Sequence, residues 1–152
     1  MAWWHTLGLG VGVTRAAGSL GALANRLVLF NVVAGEILLT CMYFVCTVAE
    51  TGAANAIEFD ITPTDGTGPT PMDNGVGDIN GLVIGDIIAP QGVLTLPAVV
   101  TGPLIAGPSF SRFFICKVGT IGITKAAATD AGTWRGRLFY IPLTEGAYVV
   151  AA

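Results

Sequence analysis

The residues of this chain that could do chemistry are few and scattered. The single histidine, His5, is far along the sequence from the three cysteines, Cys41, Cys46 and Cys116. No Cys-x-x-Cys pair occurs, and a zinc site needs four ligands at workable spacing. Because all three cysteines lie inside apolar segments, we interpret them as buried thiols. The sequence predicts no zinc site.

Two acidic residues, Glu58 and Asp60, are near enough in sequence to be considered as a pair for glycoside hydrolysis. They alternate with Ile57, Phe59 and Ile61, which is the pattern of a strand with its apolar side chains inward and both acids outward. Nothing around them would raise a carboxyl pKa. The chain also lacks a Gly-x-Ser-x-Gly elbow, a His-Glu-x-x-His motif and a phosphate-binding glycine loop before a helix. We therefore predict no catalytic residues, no cofactor and no enzymatic activity.

Residues 62–78 are rich in Pro, Gly, Thr and Asp, which predicts a long loop. Its aspartates, Asp65, Asp73 and Asp78, together with Asp86, raise the question of a calcium site. Their spacing departs from the Asp-x-Asp-x-Asp-Gly ligand pattern, and no bidentate Glu follows. We predict a solvated acidic loop that contacts a partner, and no metal site.

A strand near the carboxyl terminus carries the most suggestive polar pair. Trp134, Leu138 and Tyr140 fall on one face of this strand. Arg135 and Arg137 fall on the other face. Exposed guanidinium groups can bind carboxylates of a partner protein, although two arginines on a strand can equally form a solvated face. We take both arginines as candidate partner contacts.

Residues 1–25 contain little charge and recurrent glycine, which disfavours both a stable helix and a packed strand. We predict an extended amino-terminal arm, followed by a single domain over residues 26–152. Within the arm, the adjacent Trp3 and Trp4 are of the type that anchors protein interfaces. The alternative is an arm folded back onto its own domain. The segment is a poor signal peptide, so we expect cytoplasmic synthesis.

The composition indicates a surface that something else must cover. Of the 152 residues, 53% are hydrophobic and 11% are charged, whereas soluble proteins have roughly 25% charged residues. Short apolar runs punctuated by 21 Gly and 8 Pro favour covering by protein subunits over lipid. A net charge of −3 without a basic stripe argues against a nucleic-acid partner.

The longest apolar segment, Leu27 to Val48, is long enough to cross a hydrocarbon core of about 30 Å as a helix. However, Gly35 and Glu36 lie near its middle, and a carboxylate at the bilayer centre is costly. The segment is also rich in β-branched and aromatic residues. We predict two strands around a turn and no membrane insertion.

Taken in order, the chain reads as eight to ten short strands with turn residues between them and no helix. This pattern predicts an all-β protein, a β-sandwich of the jelly-roll type with an extended N-terminal arm. The predicted strands are 27–33, 37–48, 57–61, 82–88, 92–100, 104–105, 110–118, 119–125 and 134–140, with a short run at 147–150.

The last third of the chain resembles the corresponding part of many tailed-bacteriophage virion proteins. The resemblance lies in Gly119-Thr-Ile-Gly-Ile-Thr, Trp134, Leu138-x-Tyr140-x-Pro142-Leu143 and Gly146-Ala147-x-Val149. Gly35-Glu36-Ile37 and the strand from Ile57 to Ile61 are similar to the same group. The amino-terminal arm lies outside the resemblance.

The resemblance implies a small β-sandwich capsid decoration, or cement, protein. Such a protein would form a symmetric homo-oligomer, a trimer or another ring, on the major capsid protein of the virion, after assembly in the host cytoplasm. A tail tube, connector, vertex or receptor-binding component is the alternative within the same group. Copy number per particle separates the two possibilities.

Overall fold

The structure is a computed structural model that describes residues 10–20, 26–51, 56–73, 77–90, 99–101, 114–126 and 132–152. In these ranges the regular elements are twelve strands, and no helix occurs. The strands are β1 (Val11–Gly18), β2 (Leu27–Val33), β3 (Ile37–Val48), β4 (Ala56–Pro63), β5 (Thr70–Pro71), β6 (Gly77–Asp78), β7 (Ile87–Ala89), β8 (Val99–Thr101), β9 (Phe114–Cys116), β10 (Gly119–Lys125), β11 (Thr133–Pro142) and β12 (Tyr148–Ala151).

The strands form two antiparallel sheets that pack together as a β-sandwich. Sheet A has the order β1-β11-β3-β7-β8, and β9 also pairs with β3. Sheet B has the order β12-β2-β10-β4-β5, and β6 also pairs with β4. The prediction of an all-β sandwich is confirmed.

Aromatic side chains fill the centre of the space between the sheets. Phe44 of sheet A stacks on Phe59 of sheet B, with ring centroids 5.7 Å apart. Phe30 of sheet B packs tilted against Phe44 at 6.3 Å. All three rings are fully buried, so their apolar area and their ring contacts together hold the sheets against each other.

The segment from Leu27 to Val48 forms β2 and β3, with the bounds that the sequence predicts. Ala34 and Gly35 make the turn between them, with φ of 63° and 152°. The prediction of two strands around a turn is therefore confirmed. Among the described residues, no helix is long and apolar enough to cross a membrane.

Part of the predicted arm belongs to sheet A. Residues 11–18 form β1, which pairs with β11, and Leu20 is fully buried in the core. The small residues that argued against a strand allow close packing at this edge, since a Cβ at Gly12 would come within 3.0 Å of the Phe139 ring. The rest of the predicted arm, with Trp3 and Trp4, lies outside the described residues.

The region from residue 79 to residue 90 differs from its prediction. A strand was expected at 82–88, but the chain turns there and only Ile87–Ala89 is a strand. Asp86 holds the turn, because its Oδ2 accepts a hydrogen bond from Val83 N at 2.8 Å. The predicted strand at 104–105 and most of the one at 92–100 fall outside the described residues, and of the one at 110–118 the structure describes 114–118, with a strand at Phe114–Cys116.

The predicted loop at 62–78 is partly built into the sandwich. It contains β5 and β6, which extend sheet B beside β4. Met72 is fully buried in the core, and Asp73 is 1% exposed, with its Oδ2 accepting from Phe59 N at 3.2 Å. The expectation of a solvated loop is therefore wrong for Asp73, and likewise for the buried Asp86. Both carboxylates satisfy backbone N–H groups instead.

Candidate partner-binding surface

Strand β11 separates its side chains between the core and the surface as the alternation predicts. Trp134, Leu138 and Tyr140 are buried between the sheets. Arg135 and Arg137 are exposed on the outer face of sheet A. β11 lies between β1 and β3, so this pair of cations is held in the interior of the sheet and away from its edges.

Gly136, between the two arginines, brings β11 close to the core. Its position faces inward, and the ring of Phe44 on the neighbouring strand occupies the space that a Cβ would need. Any side chain here would push β11 outward or displace the ring. The glycine therefore lets β11 lie close to the Phe44 ring, and this sets the position of Arg135 and Arg137 on the outer face of the sheet.

Strand register places polar neighbours beside the arginines. Thr14 of β1 and Tyr43 of β3 lie directly opposite Arg137 on either side, and Val45 lies opposite Arg135. These five side chains line a groove of about 260 Å³, which we call the β11 groove. Two guanidinium groups and two hydroxyl groups at its walls supply donors for an anionic ligand.

The arginines of the β11 groove have no carboxylate partner within the described residues. Two ion pairs occur there, Arg26 with Asp60 at 2.6 Å and Lys117 with Asp65 at 2.9 Å. Neither pair involves β11. Within the described residues no carboxylate neutralises the positive charge of the groove, so a carboxylate of a partner protein can bind there.

The remainder of the outer face of sheet A carries both polar and apolar side chains, and the hydroxyl groups of Thr47 and Thr133 bond each other there at 2.7 Å. Phe139 lies beside Cys41 in the register of β11 and β3. Leu38 lies beside Ile115, which is 63% exposed. Exposed apolar side chains near two cations that have no ion pair among the described residues are typical of a surface that another protein covers.

The outer face of sheet B differs in that the carboxylate of Asp60 is satisfied within the chain. Arg26 lies over Gly122, with its Nε 2.6 Å from Asp60 Oδ1 and its Nη1 2.8 Å from the hydroxyl of Thr120. The Thr62 hydroxyl also donates to Asp60, at 3.1 Å. We predicted Asp60 to be exposed beside Glu58, but it is 3% exposed. The prediction failed because Arg26 covers this carboxylate.

The cysteines are buried and free, as the sequence predicts. Burial raises the pKa of the Cys116 thiol to about 12, and it also raises the pKa of Cys41 and of Cys46. Protonated thiols are poor nucleophiles and poor metal ligands. In the described part of the chain, no three His, Cys, Asp or Glu side chains are grouped so that they could hold a metal ion.

No protein-family model, curated protein or solved structure matches this chain. Its function must therefore be inferred from its surfaces. Of the residues proposed from sequence, the structure places Arg135 and Arg137 in one groove, while Trp3 and Trp4 are not described. Sequence reasoning missed Thr14 and Tyr43, because only the register of distant strands brings them there.

Proposed function

We propose that this protein is a structural component of a tailed-bacteriophage particle, a capsid decoration protein that oligomerises on the head shell and stabilises it. The observation that carries the proposal is the outer face of sheet A, where Arg135 and Arg137 line a groove and have no carboxylate partner among the described residues. A surface of this kind binds a protein partner through apolar contact and paired charges.

The proposal includes a jelly-roll topology, and the order of strand pairing supports it. In that topology the strands of the first half of the chain pair with those of the second half in reverse order. The first strand pairs with the last, and the second strand pairs with the one before the last. Here β1 pairs with β11, β2 with β10, β3 with β9 and β4 with β5. Successive strands from β1 to β4 also alternate between sheets A and B. β12 is an addition at the edge of sheet B.

A decoration protein must stay bound to its shell without turnover. Low charge, at 11% of residues, and a rigid antiparallel body suit a subunit whose surface neighbours cover. In a symmetric oligomer, one contact surface per subunit is repeated around the ring. Several modest contacts then act together and give lasting attachment.

The proposed occupants of the sheet A face are sister subunits and the major capsid protein. The β11 groove supplies the charged part of such a contact, because a bidentate bond between a guanidinium and a carboxylate has a defined geometry as well as energy. The apolar side chains around the groove supply the buried area. The catalytic and metal-binding roles that we considered from sequence are not part of this proposal.

The experiment that tests the proposal is quantitative mass spectrometry of purified particles that carry this protein. A decoration protein has a copy number that matches the icosahedral shell, on the order of hundreds per particle. A few copies per particle would assign the protein to a tail or vertex and contradict the decoration role. Its absence from particles would contradict the virion proposal altogether.

A matched pair of variants links that measurement to the surface. Arg135→Glu/Arg137→Glu reverses the charge of the β11 groove and should lower the copy number of the protein on the shell. Lys117→Glu changes an exposed cation that pairs with Asp65 away from the groove and should leave the copy number unchanged. Equal copy numbers for both variants would exclude the groove as the contact.

A further inference from the structure

The turn between β11 and β12 projects from the sandwich. Residues 141–146 are all exposed, and the turn carries Leu143, which is 50% exposed, and Glu145. Its backbone is held firmly, because Leu143 N and Thr144 N both donate to the carbonyl of Glu36, at 2.9 Å and 3.2 Å. We call residues 141–146 the Glu145 turn. It is an exposed, hydrogen-bonded feature with one acid, Glu145, and two exposed large apolar side chains, Ile141 and Leu143.

The Glu145 turn and the β11 groove have opposite charges. The exposed carboxylate of Asp65 is already bound to Lys117, whereas Glu145 forms no ion pair with any described residue. Arg135 and Arg137 are likewise unpaired there. The turn is exposed and the groove has a volume of about 260 Å³, so a side chain of the turn can enter it.

A single chain cannot make this contact with itself. Arg137 and Ile141 are four residues apart on β11, which corresponds to about 13 Å along a strand. The Glu145 turn continues from the end of that strand and leads into sheet B. The turn of one copy can therefore reach only the groove of another copy.

We propose that the Glu145 turn of one copy occupies the β11 groove of the next copy, head to tail. The Glu145 carboxylate accepts hydrogen bonds from the guanidinium groups of Arg135 and Arg137, and Leu143 is buried beside them. Because the two surfaces of this contact are different, the interface is heterologous, and repeating it builds a ring where the rotation between successive copies closes. The inference rests on the proposed function in one respect, since it names the contact that builds the proposed symmetric oligomer.

A mixing experiment by analytical ultracentrifugation tests the head-to-tail contact. Arg137→Glu removes the groove but keeps the turn, and Glu145→Arg removes the turn but keeps the groove. Each variant alone should be monomeric, with the dissociation constant raised at least about tenfold. A mixture of the two should associate again with the copies alternating, because the unaltered turn of one variant fits the unaltered groove of the other and the reversed turn fits the reversed groove. The combined variant Arg137→Glu/Glu145→Arg should recover the ring.

Two controls separate charge from folding. Glu145→Gln keeps the shape of the turn and should weaken association less than Glu145→Arg does. Circular dichroism of each variant should show the β spectrum of the parent, since the altered side chains are exposed. An assembly of Glu145→Arg as stable as that of the unaltered protein would overturn the inference. A monomeric parent protein, or a mixture that does not associate, would do the same.

The outcome for this contact is independent of the outcome for the virion role. Rings that depend on Glu145 and Arg137, in a protein absent from particles, would support the contact and overturn the proposed function. A protein that is abundant on shells, and that self-associates equally well with and without Glu145→Arg, would support the function and overturn the contact.

Discussion

The indole nitrogen of Trp134 donates a hydrogen bond to Glu50 Oε1 across 2.6 Å, inside the sandwich. Trp134 is fully buried and Glu50 is 4% exposed. The bond joins the start of β11 to the residues that follow β3, so it fixes the two strands whose outer sides form most of the β11 groove. A buried carboxylate is stable only where donors satisfy it, and Trp134 is one such donor.

Replacing Trp134 tests this relationship. Trp134→Ala removes the largest buried side chain and should lower the free energy of unfolding by about 3–5 kcal/mol. Trp134→Phe keeps most of the apolar area but leaves Glu50 Oε1 without its donor, at a cost of about 1–3 kcal/mol. Urea denaturation measures both. A Trp134→Phe protein as stable as the parent would contradict a structural role for the bond.

The glycine between the two arginines gives a second prediction. Gly136→Ala places a methyl group where the Phe44 ring lies, and it should destabilise the protein by about 1–3 kcal/mol. Gly18→Ala, on β1, is the matched control, because its Cβ would meet nothing nearer than 3.8 Å. Thermal unfolding of both variants decides the point. If the two substitutions cost the same, Gly136 does not set the position of β11.

Strand predictions from sequence succeed where a segment specifies its own structure. β2, β3 and β10 have their predicted bounds because each is a continuous run of strand-forming residues between turn signals. β1 was missed because its small residues make a strand only when β11 is beside them. Local propensity contains no information about β11, a partner strand that is distant in the sequence.

The candidate site was predictable only in part, for the same reason. Alternation alone places Arg135 and Arg137 outward. Nothing local indicates that Thr14 and Tyr43 flank Arg137, since that depends on the register of three strands. Asp60 was assigned to solvent because the alternation contains no information about Arg26, which covers it.

The Arg26 and Asp60 pair gives a third prediction. Arg26→Ala leaves a nearly buried carboxylate with only the Thr62 hydroxyl among the side-chain donors described here, and it should cost about 3 kcal/mol. In a double-mutant cycle, Asp60→Ala should recover part of that loss, because the unpaired charge is then gone. Additive losses in denaturant unfolding would mean that the two groups do not interact.

The buried thiols give a fourth prediction, on pH. Burial raises the pKa of Cys116 from 9.0 to about 12, so the folded state favours the neutral thiol. The resulting contribution to stability is complete below pH 9 and is lost as the pH rises from 9 towards about 12. The native protein should react slowly with a thiol reagent at pH 8. In the denatured protein, all three cysteines should react with the reagent at once. Rapid reaction of the native protein would contradict the burial of the three thiols.

The surface pair of Asp65 and Lys117 gives a fifth prediction. Hydrogen bonds from Thr67 and Lys117 lower the pKa of Asp65 to about 2. A lowered carboxyl pKa stabilises the folded state above the unfolded value of 3.8, and that contribution is lost as the pH falls towards about 2. Lys117→Gln should move the midpoint of the Asp65 titration, measured by NMR, to higher pH. An unchanged midpoint would show that the lysine does not contribute.

We propose that the sandwich works as one subunit of an assembly that covers the outer face of sheet A. The most direct test is the molar mass of the unaltered protein in solution, measured by light scattering over about a hundredfold range of concentration. We predict a mass that is a multiple of 15.6 kDa and that falls towards 15.6 kDa in Arg135→Glu/Arg137→Glu. A mass of 15.6 kDa for the unaltered protein at every concentration would contradict the claim.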